Sequence, residues 1–183
     1  MKRFLLGFLL LSGIAHAETP RYVPQRDVAI TYSSAGSEAA LPARIVLRYF
    51  AVADRIRLES NGPYVLLDRT MQRVEFVLPD AHLAMELPPG AGITQGFLLG
   101  EGMSFRRTGN ATVLGRACTV YDITLERTHA TACLSADGLL LRGEGTDPQG
   151  RHAKIEAVSV AFAPQPPGMF SPPDTYRYVA MPR

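Results

Sequence analysis

Residues 54–87 read DRIRLESNGPYVLLDRTMQRVEFVLPDAHLAMEL, and this stretch decides the fold. Apolar and charged side chains alternate in three runs, Asp54–Ser60, Gln72–Leu78 and Ala81–Leu87. Such alternation is typical of half-buried strands, because successive side chains of a strand point to opposite faces of the sheet. Short stretches rich in Gly, Pro, Asn and Asp separate the runs, and strands joined by such short connections pair antiparallel. The stretch therefore predicts an antiparallel meander with one apolar face.

The alternation continues on the N-terminal side in Ala43–Phe50, whereas Pro88–Gly100 breaks it. That second segment carries Ile93, Phe97 and Leu98 at near-helical spacing, which predicts either a short helix or a loop over one face of the sheet. The proline-rich tail after residue 163 predicts an extended crossover to a last edge strand. Further strand candidates are Asp27–Ser33, Thr112–Leu114, Cys118–Leu125, Ala130–Leu134, Leu139–Gly143, Ala153–Phe162 and Thr175–Val179.

The first seventeen residues have the pattern of a secretory signal peptide. Lys2 and Arg3 precede the apolar run Phe4–Leu11, and Ala15-His16-Ala17 supplies a small-x-small cleavage site. The apolar run is too short to span a bilayer, and no cysteine follows it to accept a lipid. We therefore predict a signal peptide over 1–17, cleaved after Ala17, and a single domain over 18–183. The predicted location is the periplasm, with no transmembrane segment after cleavage.

The exported part of the chain has no net charge. Removing Lys2 and Arg3 leaves seventeen Lys and Arg residues of nineteen, which equals the seventeen acidic residues. Nucleic-acid binding depends mostly on neutralising phosphates with basic side chains. The charge balance therefore argues against a nucleic-acid partner.

The chain has two cysteines, Cys118 and Cys133, and both lie in the exported part. An even pair in an oxidising compartment most simply forms a disulfide, and no C-x-x-C spacing supports a redox site. Closing a loop of about 15 residues contributes about 3 kcal/mol in the chain-entropy model.

The sequence has no convincing motif for nucleotide binding, catalysis or metal binding. The glycines of Gly90–Gly96 follow G-x-G-x-x-x-G, and no lysine completes a phosphate-binding loop. Glu86 and Glu101 flank this segment and could form a carboxylate pair, but no G-x-S-x-G motif supports a hydrolase. We therefore predict no enzyme activity, no cofactor and no metal. The histidines of the exported part lack metal-ligand spacing: His82, His129 and His152.

Three stretches together resemble a known family. They are Arg55–Asp68, with an Arg-x-Arg strand and a strand ending in Asp; Phe105–Cys118, ending in Gly-x-x-Cys; and Cys133–Arg142, with Cys-x-x-x-Asp-Gly-x-x-Leu. In this order they resemble uncharacterised exported proteobacterial proteins of the LolA/LolB-like lipoprotein-carrier superfamily. The pattern covers most of the chain from residue 27 to residue 179.

The resemblance implies a mainly β fold: a strongly curved antiparallel sheet, or half-barrel, with one or two short lid helices over an apolar cavity. Pro88–Gly100 would be the lid. Cys118 and Cys133 would lie on neighbouring strands and tie a hairpin that turns near Glu126–His129. The next tight turn would come from Asp137-Gly138.

The expected function is non-catalytic binding of a lipid or other hydrophobic ligand, such as an acyl chain. The alternative is a filled β domain that serves as a cell-envelope interaction or scaffold module with a protein partner. For the first function, Ile93, Phe97 and Leu98 would line the lid. The predicted cavity lining is Ile56, Leu58, Leu66, Phe76, Leu83, Met85 and Leu87.

Overall fold

The computed structural model describes residues 19–36, 42–88, 102–125, 128–146 and 150–179. The predicted signal peptide and the lid residues Ile93, Phe97 and Leu98 lie outside these ranges. Within them, three short 3-10 helices occur at Ala51–Ala53, Pro79–Ala81 and Pro167–Phe170. The strands are β1 (Val28–Gly36), β2 (Arg44–Phe50), β3 (Arg55–Glu59), β4 (Tyr64–Asp68), β5 (Arg73–Leu78), β6 (Leu83–Leu87), β7 (Ser104–Val113), β8 (Arg116–Leu125), β9 (Thr128–Leu134), β10 (Leu140–Thr146), β11 (His152–Ala161) and β12 (Arg177–Val179).

All twelve strands belong to one sheet, in the order β12-β6-β5-β4-β3-β2-β1-β11-β10-β9-β8-β7. The sheet consists of two meanders, β1–β6 and β7–β11, joined where β1 pairs antiparallel with β11. β12 adds to the edge of β6 as a parallel strand. Because β7 and β12 form the two edges and do not pair with each other, the sheet is open.

The sheet is strongly curved. Ile56 on β3 and Leu140 on β10 line the same small cleft, although four positions separate their strands in the sheet order. In a flat sheet this separation would be about 19 Å, at about 4.8 Å between neighbouring strands. The curved, open antiparallel sheet that the sequence predicts is therefore confirmed.

The main core lies on the concave face. It combines apolar side chains of β1–β5 with others from β7–β11 and from the turn before β10. Val28, Tyr32, Leu139 and Leu141 have no exposed surface, because the curved sheet and the turn cover them together. A single curved layer can thus bury its own apolar face without a packed helix.

The opposite face of the first meander is covered by the C-terminal segment, which we define as Ala163–Tyr176. Tyr176 packs against a buried cluster formed by Tyr64, Leu66, Val77 and Ala84. This cover explains why every residue of β4 is buried, as in strands that are packed on both faces.

Aromatic and polar contacts hold the C-terminal segment. Phe170 stacks on Phe50 with 5.5 Å between the ring centroids. The Arg57 guanidinium lies 3.6 Å from the ring centroid of Tyr64 and donates to the carbonyl oxygen of Met169 at 2.9 Å. The segment is therefore a packed element and leads directly into β12.

The disulfide is confirmed. Cys118 on β8 and Cys133 on the neighbouring β9 are bonded, with their Cα atoms 5.4 Å apart. The connection between these strands includes residues 126 and 127, which lie outside the described ranges. The β9–β10 turn contains Asp137-Gly138 as expected, and it is closed by hydrogen bonds from the backbone N–H groups of Gly138 and Leu139 to Ser135.

The observed bounds of β2, β3, β5 and β6 agree with those predicted from the sequence to within two residues. β7 differs: Thr112–Leu114 predicts a short strand, whereas β7 begins at Ser104 and ends at Val113, and Leu114 lies in the following turn. Most side chains of β7 are exposed, because β7 is an edge strand. Alternation of apolar and polar residues is consequently weak there.

Candidate ligand-binding face

A cleft opens on the concave face between β1–β3 and the β9–β10 turn. Ile30, Leu47 and Ile56 form its apolar floor, and Leu139 and Tyr22 face them from the turn and from the N-terminal segment. Its volume is about 30 Å³. A single water molecule needs about 10–15 Å³ by this measure, and pockets for drug-sized ligands enclose roughly 300–1,000 Å³. The cleft as it stands therefore has room for water and not for an acyl chain.

Two tyrosine hydroxyl groups lie at this cleft. The Tyr32 hydroxyl donates to the carbonyl oxygen of Leu140 at 2.8 Å, and the Tyr49 hydroxyl donates to Asp54 Oδ1 at 3.0 Å. Burial raises the pKa of Tyr32 above its ordinary value. Burial, followed by the hydrogen bond to Asp54, raises the pKa of Tyr49. Both hydroxyl groups are therefore neutral donors and supply no phenolate to the cleft.

Arg69 completes the polar side of the cleft. Its Nε lies 3.3 Å from Asp54 Oδ1, the same oxygen that accepts from Tyr49. The Arg69 backbone N–H also donates to the carbonyl oxygen of Asp54 at 3.1 Å. Arg69 therefore ties the β2–β3 turn to the β4–β5 turn and is engaged with a carboxylate.

The concave face is less well covered toward β6. Phe76, Leu83, Met85 and Leu87, which we call the edge patch, are half-buried. Cross-strand pairs place them on one face, because Phe76 lies opposite Met85 and the alternation of β6 carries Leu83 and Leu87 to the same side. Ile56 and Leu58 share this face and are buried in the main core. The structure thus brings six of the seven predicted lining residues onto the concave face.

Leu66 is the exception. It packs with Tyr64, Val77 and Ala84 on the opposite face, beneath the C-terminal segment. The concave positions of β4 are Val65 and Leu67. Because all five residues of Tyr64–Asp68 are buried, the sequence YVLLD shows no polar alternation that could distinguish its two faces.

The residues considered as catalytic groups or metal ligands do not line the cleft. Glu86 accepts a hydrogen bond from the Tyr178 hydroxyl at 2.9 Å, whereas Glu101 lies outside the described residues. His82 contacts Tyr176 edge-on, and His152 lies 3.1 Å from Glu144. Among the described residues, no group of three or more His, Cys, Asp or Glu side chains could hold a metal ion. None of the 3-10 helices in these ranges has the length and apolar character needed to cross a membrane.

Comparison with known proteins concerns the fold. No protein-family model matches the chain, and no curated protein matches it. An uncharacterized conserved protein from Thermus thermophilus is 13% identical and has a TM-score of 0.59 over 86% of this chain and 91% of its own. PNGF-II is also 13% identical, with a TM-score of 0.54 over 85% of this chain and 32% of its own.

A LolA superfamily protein from Nitrosomonas europaea is 11% identical, with a TM-score of 0.46 over 82% of this chain and 92% of its own. The LolA/LolB-like fold that the sequence resemblance implies agrees with the open, curved antiparallel sheet described above.

Proposed function

We propose that this protein is an exported periplasmic protein that binds a lipid or another hydrophobic ligand without chemistry. The observation that carries the proposal is the edge patch, where four large apolar side chains on the concave face are only half-buried. A core that served packing alone would cover them as it covers Ile56 and Leu58.

The ligand would lie over the edge patch. The cleft of about 30 Å³ is too small for an acyl chain, so the ligand needs the less covered region toward β6. β6 ends at Leu87, and the predicted lid follows it directly in the chain. In this proposal Ile93, Phe97 and Leu98 of the lid would cover the ligand from the open side.

The polar groups of the concave face favour binding over catalysis. The Tyr32 and Tyr49 hydroxyl groups donate to protein oxygens, and Arg69 pairs with Asp54. These groups are satisfied within the protein and are not poised to activate a nucleophile. An apolar surface with few free polar groups suits a ligand that is itself apolar.

The test combines two measurements on the chain without its first seventeen residues. Native mass spectrometry of purified protein should show a co-purified lipid, and delipidated protein should bind a fluorescent fatty acid. Met85→Asp should weaken that binding roughly tenfold, because it places a charge in the edge patch. Val158→Asp, at a residue 49% exposed on β11, is the matched control and should bind like the wild type. If the delipidated protein binds no fatty acid even at high concentration, the proposal is refuted.

A second function is favoured by the small volume of the cleft. If the concave face is filled, the protein is a β module that binds a partner of the cell envelope. The same experiment separates the two, because the filled module should carry no lipid and should bind no fatty acid. Affinity capture from envelope extract should then recover one partner in constant stoichiometry.

A further inference from the structure

Three of the large apolar side chains that the described residues expose lie at the tips of hairpin turns. Val52 is 91% exposed between β2 and β3, Met71 is 72% exposed between β4 and β5, and Leu114 is 49% exposed between β7 and β8. Hairpin tips usually carry Gly, Asn, Asp or other polar residues. We call these three residues the tip surface.

The three tips lie at the same end of the half-barrel. The β2–β3 and β4–β5 turns are joined by the hydrogen bond from the Arg69 N–H to the Asp54 carbonyl oxygen. In the second meander, antiparallel pairing places the β7–β8 turn at the end where β11 finishes. β11 finishes beside the start of β1, which lies opposite the end of β2. The three tips therefore lie on the same rim of the sheet.

Leu114 adopts an unusual backbone conformation for its residue type. Its φ is +52°, in the left-handed region that favours Gly, Asn and Asp. Neither burial nor backbone preference explains a leucine at this exposed position. An apolar side chain that is both strained and exposed points to contact with something outside the protein.

Two arginines that stack on an aromatic ring lie beside this tip. The guanidinium carbons of Arg26 and Arg116 lie 3.7 and 5.4 Å from the ring centroid of Phe162. Within the described ranges no carboxylate forms a salt bridge with either arginine. At the same end Asp54 is neutralised by Arg69 and Asp68 by Arg55, whereas Asp137 in the β9–β10 turn is exposed. Two arginines next to an apolar tip complement a surface that is both apolar and negatively charged.

We propose that this end of the half-barrel docks on the surface of an anionic lipid bilayer. The tip surface enters the interface between headgroups and acyl chains, and Arg26 and Arg116 contact lipid phosphates. Binding of this kind gains from buried apolar area and from electrostatic attraction to anionic lipids. The inference does not depend on what the concave face binds, because it concerns only the turns at one end.

The test is sedimentation of purified protein, residues 18–183, with vesicles of phosphatidylglycerol and phosphatidylcholine in equal parts. We expect Leu114→Asp and Met71→Asp each to weaken binding roughly tenfold. Aspartate tolerates the left-handed conformation, so Leu114→Asp should keep the fold, and circular dichroism checks this. Val158→Asp is the matched control, since Val158 has the same 49% exposure as Leu114 on the body of β11.

The arginines are tested in the same assay. Arg26→Gln with Arg116→Gln should reduce binding to the anionic vesicles and leave the weak binding to pure phosphatidylcholine unchanged. Equal binding of the wild type to both kinds of vesicle would overturn the role of the arginines. Absence of binding to the anionic vesicles, or an equal loss with Val158→Asp, would overturn the docking surface itself.

Discussion

Gly138 in the β9–β10 turn lies against the backbone of Val23: a Cβ atom at Gly138 would be 2.4 Å from the carbonyl oxygen of Val23. The N-terminal segment thus crosses the turn with no space for a side chain. Gly138 also has a φ of +82°.

Gly138→Ala should therefore lower the free energy of unfolding by about 2 kcal/mol or more, because a backbone clash adds to left-handed strain. Urea denaturation measures the loss. Gly150→Ala is the matched control, since Gly150 has a φ of +80° and open space around its Cβ position. It should lose only about 1 kcal/mol from backbone strain, and equal losses would contradict the close approach.

The disulfide should stabilise the hairpin of β8 and β9. Replacing Cys118 and Cys133 together by alanine should cost about 3 kcal/mol, since the bridge closes a loop of about 15 residues in the unfolded chain. Urea denaturation with and without reductant measures the cost. Reductant should destabilise the wild type and leave the double variant unchanged; a wild type indifferent to reductant would contradict the prediction.

Phe170→Ala tests the docking of the C-terminal segment. Phe170 is 4% exposed and stacks on Phe50, so the truncation should cost about 3 kcal/mol and loosen the segment. Limited proteolysis should then cut within residues 163–176 earlier than in the wild type. Val158→Ala should change stability by less than about 0.5 kcal/mol, because that side chain is half in solvent. If Phe170→Ala is cut no earlier than the wild type, contacts other than the Phe170 side chain hold the C-terminal segment in place.

Tyr32 should make the fold sensitive to alkali. Burial raises its folded pKa above its value of about 10 in the unfolded chain. Its contribution to stability is therefore complete below pH 10 and is lost as the pH rises through the folded pKa. Urea denaturation at a series of pH values from neutral to alkaline measures how steeply the free energy of unfolding falls with pH.

Tyr32→Phe should cost about 1 kcal/mol at neutral pH through the lost hydrogen bond to Leu140. The variant should also lose less stability than the wild type at alkaline pH. Tyr49, Tyr64 and Tyr178 also have raised pKa values, so some slope should remain. Identical slopes for the two proteins would contradict the assignment to Tyr32.

Local patterns predicted the first meander well, because each strand from β2 to β6 pairs with its neighbour in the chain and most of these strands alternate apolar with polar side chains. The pairing of β1 with β11 left no local signal, since it joins residues more than 110 positions apart, such as Tyr32 and Ala157. Only the complete fold brings such residues together.

The faces of β4 were ambiguous for a related reason. The C-terminal segment covers the side of the sheet that would otherwise meet solvent, so Leu66 and Leu67 are equally apolar but point in opposite directions. The bridge between Cys118 and Cys133 on neighbouring strands, which the resemblance implies, is confirmed, whereas Thr128 and His129 of the expected turn belong to β9. The tip surface could not be predicted from local patterns, because only the pairing of β1 with β11 brings the turns of both meanders to one end of the sheet.

The pairing of β1 with β11 also constrains how the chain reaches its native state. The strand nearest the N-terminus has only β2 as a partner until residues beyond 152 are available. Contacts between such distant parts of a chain form slowly, because a long loop must close before they give any stability. A polypeptide still emerging from a ribosome would hold the first meander without the second, with β1 as an unprotected edge. The sheet is therefore completed only after the residues of β11, more than 110 positions beyond β1, have been synthesised.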